Sequence, residues 1–149
     1  MTKNVLISIS GLHYEVGIIK NIGAGAENDI IEVITPARYV FRSKKHYITY
    51  EEFVEGFNGS IKNTVIISED KVEIRKKGIT NSSLIFENSK INIAKYHIPY
   101  GELNVGIHTK DLRITETPDE IDVLILYELE INGEMISNCH IKMKVTAVS

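Results

Sequence analysis

Apolar residues recur at every second position along most of this 149-residue chain. A period of two is typical of β-strands that bury one face, because successive side chains of a strand point to opposite sides of the sheet. No stretch of helical length carries a convincing helical period, so the sequence predicts an all-β fold. The alternation is clearest at Val5, Ile7 and Ile9, at Val72 and Ile74, at Leu103, Val105 and Ile107, at Ile121, Val123, Ile125, Tyr127, Leu129 and Ile131, and at Cys139, Ile141, Met143 and Val145.

Turn-forming residues separate these runs. The strongest signal is Asn132-Gly133 between two alternating runs, which suits a two-residue type I′ hairpin. Pro118 marks another turn, since proline cannot donate to a strand ladder. Further hairpin-type connections are predicted at residues 57–60, 68–71 and 87–90. Counting the runs gives about ten strands.

A meander of this many antiparallel strands leaves exposed edges unless it closes on itself. We therefore predict an antiparallel up-and-down β-barrel of about eight to ten strands, formed by residues 1–149 as a single domain. The one long irregular connection, residues 12–29, carries glycines at 17, 23 and 25 and is predicted to be a mobile loop.

Charge and cysteine content narrow the class of protein. Twenty acidic and 17 basic residues give a net charge of −3, which offers no reason to expect nucleic acid as a partner. One cysteine excludes an intrachain disulfide framework. The first residues have the pattern of a strand rather than of a signal peptide, and no apolar run is long enough for a membrane helix. The expectation is a cytoplasmic protein with no membrane or nucleic-acid partner.

Four stretches of the chain carry a resemblance to a known family: ITYEE at 48–52, Lys71 to Gly78, Pro99-Tyr100-Gly101 and the Asn132-Gly133 hairpin. With these stretches the chain resembles the YwiB-like family, small bacterial proteins of unknown function with a calycin-like, or lipocalin-like, β-barrel. The likeness covers nearly the whole chain, with a departure at Ile98, where a threonine is usual in the family. It implies the barrel fold and no activity. Calycins in general hold small apolar molecules, which is an analogy of fold alone.

The stretch YHIPYGELNVGIHT, residues 96–109, holds the most suggestive polar residues. Its Pro-Tyr-Gly corner is read as a tight turn between two strands, with Tyr100 able to place its hydroxyl at the barrel mouth. His97 and His108 flank the corner, and hairpin pairing is one way to bring them close. Two histidines without a third ligand make a poor metal site, so no metal or cofactor is expected. The candidate ligand-binding residues near one end of the barrel are Tyr50, Arg75, His97, Tyr100 and His108.

Other reactive residues are predicted to lie apart. Glu51 and Glu52 are neighbours on a strand and point to opposite faces, so they form no carboxylate pair. If one faces the interior, Arg75 or Arg38 is its expected partner, since a buried charge requires pairing. Residues 75–77 form a basic group that is expected to be solvated.

The same geometry separates Cys139 from His140. Cys139 is in phase with the apolar face of its strand and is expected to be a buried, inert thiol. With no nucleophile–base or metal spacing in the sequence, we do not expect an enzyme.

The penultimate strand is apolar on both faces, with Leu124 and Leu126 opposite the face of Ile125 and Tyr127. Such a strand is covered on both sides, which makes the two leucines a candidate interface with a second copy or a contact for the long loop.

Two functional hypotheses follow. The first is a binding module that holds a small apolar or amphipathic ligand in the barrel or at its mouth. The alternative is a non-enzymatic structural or interaction protein, a homodimer whose barrel is filled by its own side chains.

Overall fold

The computed structural model is an all-β barrel that describes residues 2–11, 32–53, 59–78, 81–98 and 101–148; within these ranges, the side chains of residues 2–3, 96–98 and 137 are not described. Within these ranges ten strands follow one another along the chain, as the period of two predicts. The strands are β1 (Thr2–Ser10), β2 (Glu32–Arg42), β3 (Lys45–Phe53), β4 (Ser60–Ile67), β5 (Lys71–Gly78), β6 (Ser82–Glu87), β7 (Ile91–Ile98), β8 (Gly101–Thr117), β9 (Glu120–Ile131) and β10 (Glu134–Ala147).

The first and last strands close the barrel. β1 pairs antiparallel with β10, and the hydrogen-bonded order is β6-β5-β4-β3-β2-β1-β10-β9-β8-β7. The two end strands of the sheet are therefore β6 and β7, which are consecutive in the chain. The predicted turn at residues 87–90 exists, with Lys90 N donating to Glu87 O, but it does not join paired strands. Instead Ser89 N donates to Thr109 O and Thr109 N to Lys90 O, so β8 binds the turn.

Aliphatic side chains fill the interior. On β1, β5, β9 and β10 the alternating apolar residues all face inward, so Leu124 and Leu126, on the opposite side of β9, lie on the outer face. Phe86 is fully buried and meets the Tyr127 ring edge-on at 5.1 Å between centroids. The largest fully buried side chains, besides Phe86, are Ile7, Ile9, Ile48, Ile67, Ile74, Ile107, Ile125, Ile141, Val65 and Val72.

A bulge in β8 changes which residues face inward. Up to Thr109 the odd-numbered positions Leu103, Val105 and Ile107 are buried, as the sequence predicts. The register with β9 then shifts between Thr109 and Asp111, so that Leu112, Ile114 and Glu116 take the inward phase. An extra residue in one strand moves every later side chain to the other face. This shift carries Glu116 to the inner side of the barrel end.

Apart from the turn at residues 87–90, the predicted hairpin turns are confirmed where the structure describes them. Asn132 and Gly133 have φ of 49° and 85°, as a type I′ turn requires, and Ser68 N donates to Lys71 O at 2.9 Å. Thr117 pairs with Glu120 across the predicted proline turn. The structure adds a second turn with two positive φ values, Ser43 at 53° and Lys44 at 64°, which the sequence does not signal.

Some sequence predictions lie outside the described residues. These are the mobile loop at 12–29, the turn beginning at residue 57, and Pro99 with Tyr100. Strands β7 and β8, which that corner joins, do pair antiparallel, with Ile98 opposite Gly101. In the described part of the chain, no helix has the length and hydropathy of a membrane span.

Candidate ligand-binding mouth of the barrel

One end of the barrel opens into a cavity of about 390 Å³, between the start of β1, the β8–β9 turn and the end of β10. We call this end the mouth. Its lining divides into an apolar wall and a polar lip. The wall is Val5, Pro118, Ile121, Val145 and Ala147, and the lip is Tyr39, Glu116, Thr117, Asp119 and Glu120.

A hydrogen-bond network of three side chains, Tyr39, His46 and Glu116, crosses the inner side of the mouth. The Tyr39 hydroxyl lies 2.6 Å from His46 Nδ1, and His46 Nε2 lies 3.0 Å from Glu116 Oε1. His46 is 8% exposed, whereas the Glu116 side chain is 55% exposed. This hydrogen-bond network thus runs from the barrel interior to solvent and links β2, β3 and β8.

The direction of the two hydrogen bonds in this network follows from which groups can donate a proton. A carboxylate only accepts, so His46 Nε2 carries the proton that it shares with Glu116. In the neutral imidazole Nδ1 is then an acceptor, and the Tyr39 hydroxyl donates to it. The tautomer is assigned from this network.

The surroundings of Tyr39 also change its acidity. Burial, and after it the negative charge of Glu116, raises the pKa of Tyr39 above its ordinary value. Both effects penalise the phenolate, since it is poorly solvated and repelled by the carboxylate. The hydroxyl therefore remains a donor to His46 into the alkaline range.

We expect Tyr39→Phe to lower the free energy of unfolding by about 1–2 kcal/mol at neutral pH, because His46 Nδ1 loses its only donor in the chain of hydrogen bonds. In wild type this contribution is present below the unfolded phenol pKa of about 10 and fades as the pH rises through the higher folded value. The gap between wild type and variant, measured by urea unfolding, should narrow above that pH. Tyr47→Phe, on the outer face of β3, is the control, and a gap that does not change with pH would contradict the assignment.

A second polar cluster occupies the inner face near the opposite ends of β3 and β5. Lys76 Nζ donates to Asn63 Oδ1 at 2.6 Å and to Glu52 Oε1 at 3.2 Å, and Asn63 Nδ2 donates to Glu52 Oε1 at 3.3 Å. Lys76 and Asn63 are 3% and 0% exposed. We call these three residues the polar triangle. It joins β3, β4 and β5.

The polar triangle corrects one prediction. Of the two adjacent acids, Glu52 does turn inward while Glu51 is exposed, but the partner of Glu52 is Lys76 rather than Arg75 or Arg38. The reason is strand phase: Lys76 follows Val72 and Ile74 on the inner face, and Arg75 points outward. The basic group at 75–77 is therefore not a single solvated patch.

Among the predicted ligand-binding residues, those that the structure describes do not lie together. Tyr50 is buried on the inner face of β3, whereas the Arg75 side chain is 53% exposed on the outer face. His97 pairs with Glu102, six positions before His108 on β8, so the two histidines are separated by about 20 Å along the sheet. Tyr100 and the His97 side chain lie outside what the structure describes.

Arg75 and His108 have local partners instead. Arg75 Nε donates to Glu73 Oε2 at 2.6 Å. Burial alone would raise the pKa of Glu73, but hydrogen bonds from Arg75 and Ser83 and nearby positive charges bring that pKa below its ordinary value. His108 Nε2 lies 3.5 Å from Glu130 Oε2 on the outer wall. A hydrogen bond thus holds Arg75 on the outside of the barrel, whereas His108 Nε2 lies near Glu130 without a hydrogen-bond partner among the described residues.

Cys139 and the two outward leucines differ in how far they are buried. Cys139 packs against the core from the inner face, but it is only partly buried, and His140 is exposed on the other face. Leu126 is 39% exposed and Leu124 is half-buried. Among the described residues, no three His, Cys, Asp or Glu side chains are grouped so as to hold a metal ion.

Sequence reasoning missed the residues that build the mouth. His46 and Glu116 lie 70 positions apart, and they meet only because β2, β1, β10 and β9 connect β3 to β8 around the barrel. The sequence could have placed His46 inside the barrel, because it lies on the same face of β3 as Ile48 and Tyr50, which are both buried. No local signal marks Glu116, since its inward phase depends on the bulge.

The fold and the mouth define a small antiparallel β-barrel protein with a polar-lipped cavity at one end. The chain belongs to the family described as "Domain of unknown function (DUF1934)", whose model matches residues 16–143.

Two comparisons with one relative agree with this family. The chain is 27% identical over 106 residues to an "Uncharacterized beta-barrel protein YwiB" of Bacillus subtilis strain 168, covering 71% of this chain and 73% of the relative. A crystal structure of the ywiB protein from Bacillus subtilis superposes with a TM-score of 0.73 over 99% of this chain and 94% of the other, at 19% identity. The resemblance inferred from the sequence is thereby confirmed, as is the β-barrel.

Proposed function

We propose that this chain is a non-enzymatic binding protein that takes a small amphipathic ligand at the mouth. The observation that carries the proposal is the cavity of about 390 Å³, which has an apolar wall on one side and polar groups on the other. Its volume lies in the ordinary range of small-molecule sites, about 300–1,000 Å³. An apolar body against the wall and a polar group at the lip would satisfy both sides.

The filled interior favours the mouth over the barrel centre as the place of binding. The inner face between the mouth and the polar triangle is occupied by fully buried aliphatic side chains such as Ile48, Val65 and Ile125. Displacing such a packed core would cost several kcal/mol. The mouth offers space without that cost. The hydrogen-bonded chain behind it fixes Tyr39 and Glu116 in place, which lowers the entropy lost on binding.

The test is native mass spectrometry of protein purified gently from cells. We expect wild type to carry an adduct of a few hundred daltons, and Ala147→Phe to lose it, because Ala147 lines the cavity and a phenyl ring would fill it. Thr146→Phe is the matched control, since Thr146 is the neighbouring residue on β10 and does not line the cavity. An adduct that survives in Ala147→Phe would place the ligand elsewhere.

The alternative function, a homodimer that acts through its surface, is favoured by one observation. Leu124 and Leu126 lie on the outer face of β9, and Leu126 is 39% exposed. The same spectra decide between the two: a dimer mass without an adduct supports the homodimer, and a monomer with an adduct supports the binding protein.

A further inference from the structure

The second half of β8 has a neighbouring strand on one side only. β7 pairs with residues 101–108 of β8, and the turn at residues 87–90 binds Thr109. From residue 111 to residue 117, β8 pairs with β9 alone within the described part of the chain. We call residues 111–117 the open edge. A strand edge of this length is a template for pairing with a further strand.

The backbone groups of the open edge show what kind of partner it takes. In an antiparallel ladder, successive residues direct their N–H and C=O groups to opposite sides. Thr117 closes the two-residue turn to Glu120, so its backbone groups point to β9, as do those of Thr115. The N–H and C=O groups of Ile114 and Leu112 therefore point to the open side. Another extended backbone satisfies such paired donors and acceptors.

We propose that the open edge pairs antiparallel with the open edge of a second copy of this chain, across a twofold axis at Ile114. Residues directly opposite each other in such a pair lie on the same face of the sheet. Ile114 then meets Ile114 of the other copy, Arg113 meets Thr115, and Asp111 meets Thr117. This interface goes beyond the proposed function and does not depend on a ligand.

Charge and space select this register over its neighbours. Sliding the two strands further together by two residues brings Arg113 of both copies directly opposite each other, and opposed like charges are destabilising. The same shift drives Thr117 against the other copy's turn at residues 87–90, where Thr109 already binds Ser89 and Lys90. Sliding the strands apart leaves fewer residues paired. Only the register at Ile114 uses the whole open edge without opposing like charges.

Opposite charges meet at both ends of the paired edges. In this register the β8–β9 turn of one copy, with the exposed Asp119, lies beside Lys110 and Lys90 of the other copy. The side chains of these two lysines are 61% and 65% exposed, so both are accessible to a carboxylate. The twofold axis repeats the contact at the other end of the interface.

The apolar side chains of the open edge favour a second copy over a flexible peptide. Leu112 and Ile114 pack against the core but remain partly exposed, and a paired strand covers them. The open edge is already an extended strand in each copy. Pairing two such strands therefore costs less conformational entropy than ordering a flexible segment.

Sedimentation equilibrium of the full chain, from micromolar to millimolar concentration, tests the pairing. We expect a monomer–dimer equilibrium whose dissociation constant Ile114→Pro raises by about tenfold or more, because proline lacks the N–H that points to the second copy. An edge strand tolerates proline at such a position, since no hydrogen bond to β9 is lost. Ile114→Val keeps the N–H and should change the dissociation constant by less than about twofold.

A charge introduced at Thr115 tests the register. Thr115 lies opposite Asp122 in its own chain and, in the proposed pair, opposite Arg113 of the other copy. Thr115→Glu should tighten the dimer by about fivefold and Thr115→Lys weaken it by about as much. The stability of the monomer should change in the opposite order, because Asp122 repels the glutamate and attracts the lysine. Urea unfolding of the same variants thus separates the interface from the fold.

Thr64 provides the matched control. It lies on the outer face of β4, which has a paired strand on each side. Thr64→Glu and Thr64→Lys should leave the dissociation constant unchanged.

Each contrary outcome overturns the pairing. A chain that stays monomeric at every concentration has no such dimer, and if a synthetic peptide of residues 111–117 then binds it, the open edge takes a foreign strand instead. A dimer that forms equally well with Ile114→Pro uses another surface, such as the outward leucines of β9. A dimer that Thr115→Lys tightens and Thr115→Glu weakens has a different register.

Discussion

Lys76→Met is expected to lower the free energy of unfolding by about 3 kcal/mol, measured by urea unfolding at neutral pH. Methionine replaces the apolar part of the lysine side chain up to Cε and keeps its packing in the barrel, so the loss is that of the ammonium group alone. Without that group the buried Asn63 Oδ1 has lost its 2.6 Å donor and the Glu52 carboxylate its ion pair. A buried acceptor left without a donor costs about 1–3 kcal/mol, and a partly buried charge without its partner adds to this.

Lys77→Met is the matched control for this substitution. It makes the same chemical change one residue later, where the side chain is exposed on the outer face of β5. The expected effect there is within about 0.5 kcal/mol. Equal effects at the two positions would show that the polar triangle contributes nothing and that only the loss of a positive charge matters.

A double-mutant cycle separates the ion pair from the rest of the polar triangle. In the Glu52→Gln background the loss from Lys76→Met should be smaller by about 1 kcal/mol, because no unpaired carboxylate is left behind. The part that persists belongs to the hydrogen bond between Lys76 and Asn63. Additive effects of the two substitutions would contradict direct coupling across the 3.2 Å contact.

The strands of this fold follow from the sequence because one physical rule governs them. A strand that is buried on one side must alternate, and residues such as Ile7 and Ile125 are buried where the alternation places them. The Asn132-Gly133 turn follows for a similar reason, since few residue pairs accept two positive φ values. The turn at Ser43 and Lys44 has the same backbone geometry without those residues, so the sequence gives no sign of it.

The pairing of the strands is only partly predictable. Neighbours in sequence are neighbours in the sheet for every consecutive pair except β6 and β7, although a short turn of ordinary composition joins those two. The ring is completed instead by β1 and β10, the most distant strands in the chain. Local sequence patterns indicate which face of a strand is buried. They do not indicate which of several short turns joins two strands that do not pair.

The candidate site was the least predictable part. Its residues come from β2, β3 and β8, and their meeting depends on closure of the barrel and on a single extra residue in β8. If the strict alternation of Val105 and Ile107 continued, Glu116 would be placed outside, away from His46. The inward position of Lys76 could have been predicted from the sequence, because Lys76 lies on the same strand face as Ile74. The three successive basic residues at 75–77 instead suggested a solvated group.

At the end of β1 that lies away from the mouth, the closure of the barrel depends on Gly11. The substitution Gly11→Ala is expected to lower the free energy of unfolding by about 3–4 kcal/mol. Gly11 has a φ of +84°, where an alanine is strained, and a Cβ at this position would overlap the backbone carbonyl oxygen of His140 on β10. A backbone oxygen in a paired strand cannot rotate aside as a side chain can. Relief of the overlap therefore requires β1 and β10 to separate, and these are the strands that close the barrel.

Gly133→Ala isolates that overlap from the backbone strain. Gly133 has nearly the same φ, +85°, but a Cβ there would meet nothing within 4 Å. The strain alone should cost about 1–2 kcal/mol, so the difference between the two variants, about 2 kcal/mol, measures the close approach of β1 to β10. Thermal or urea unfolding of both variants gives this difference directly. If the two alanine variants are equally stable, β1 does not approach β10 at Gly11 as closely as the structure places it, and the closure of the barrel at this end is looser than the register of the two strands implies.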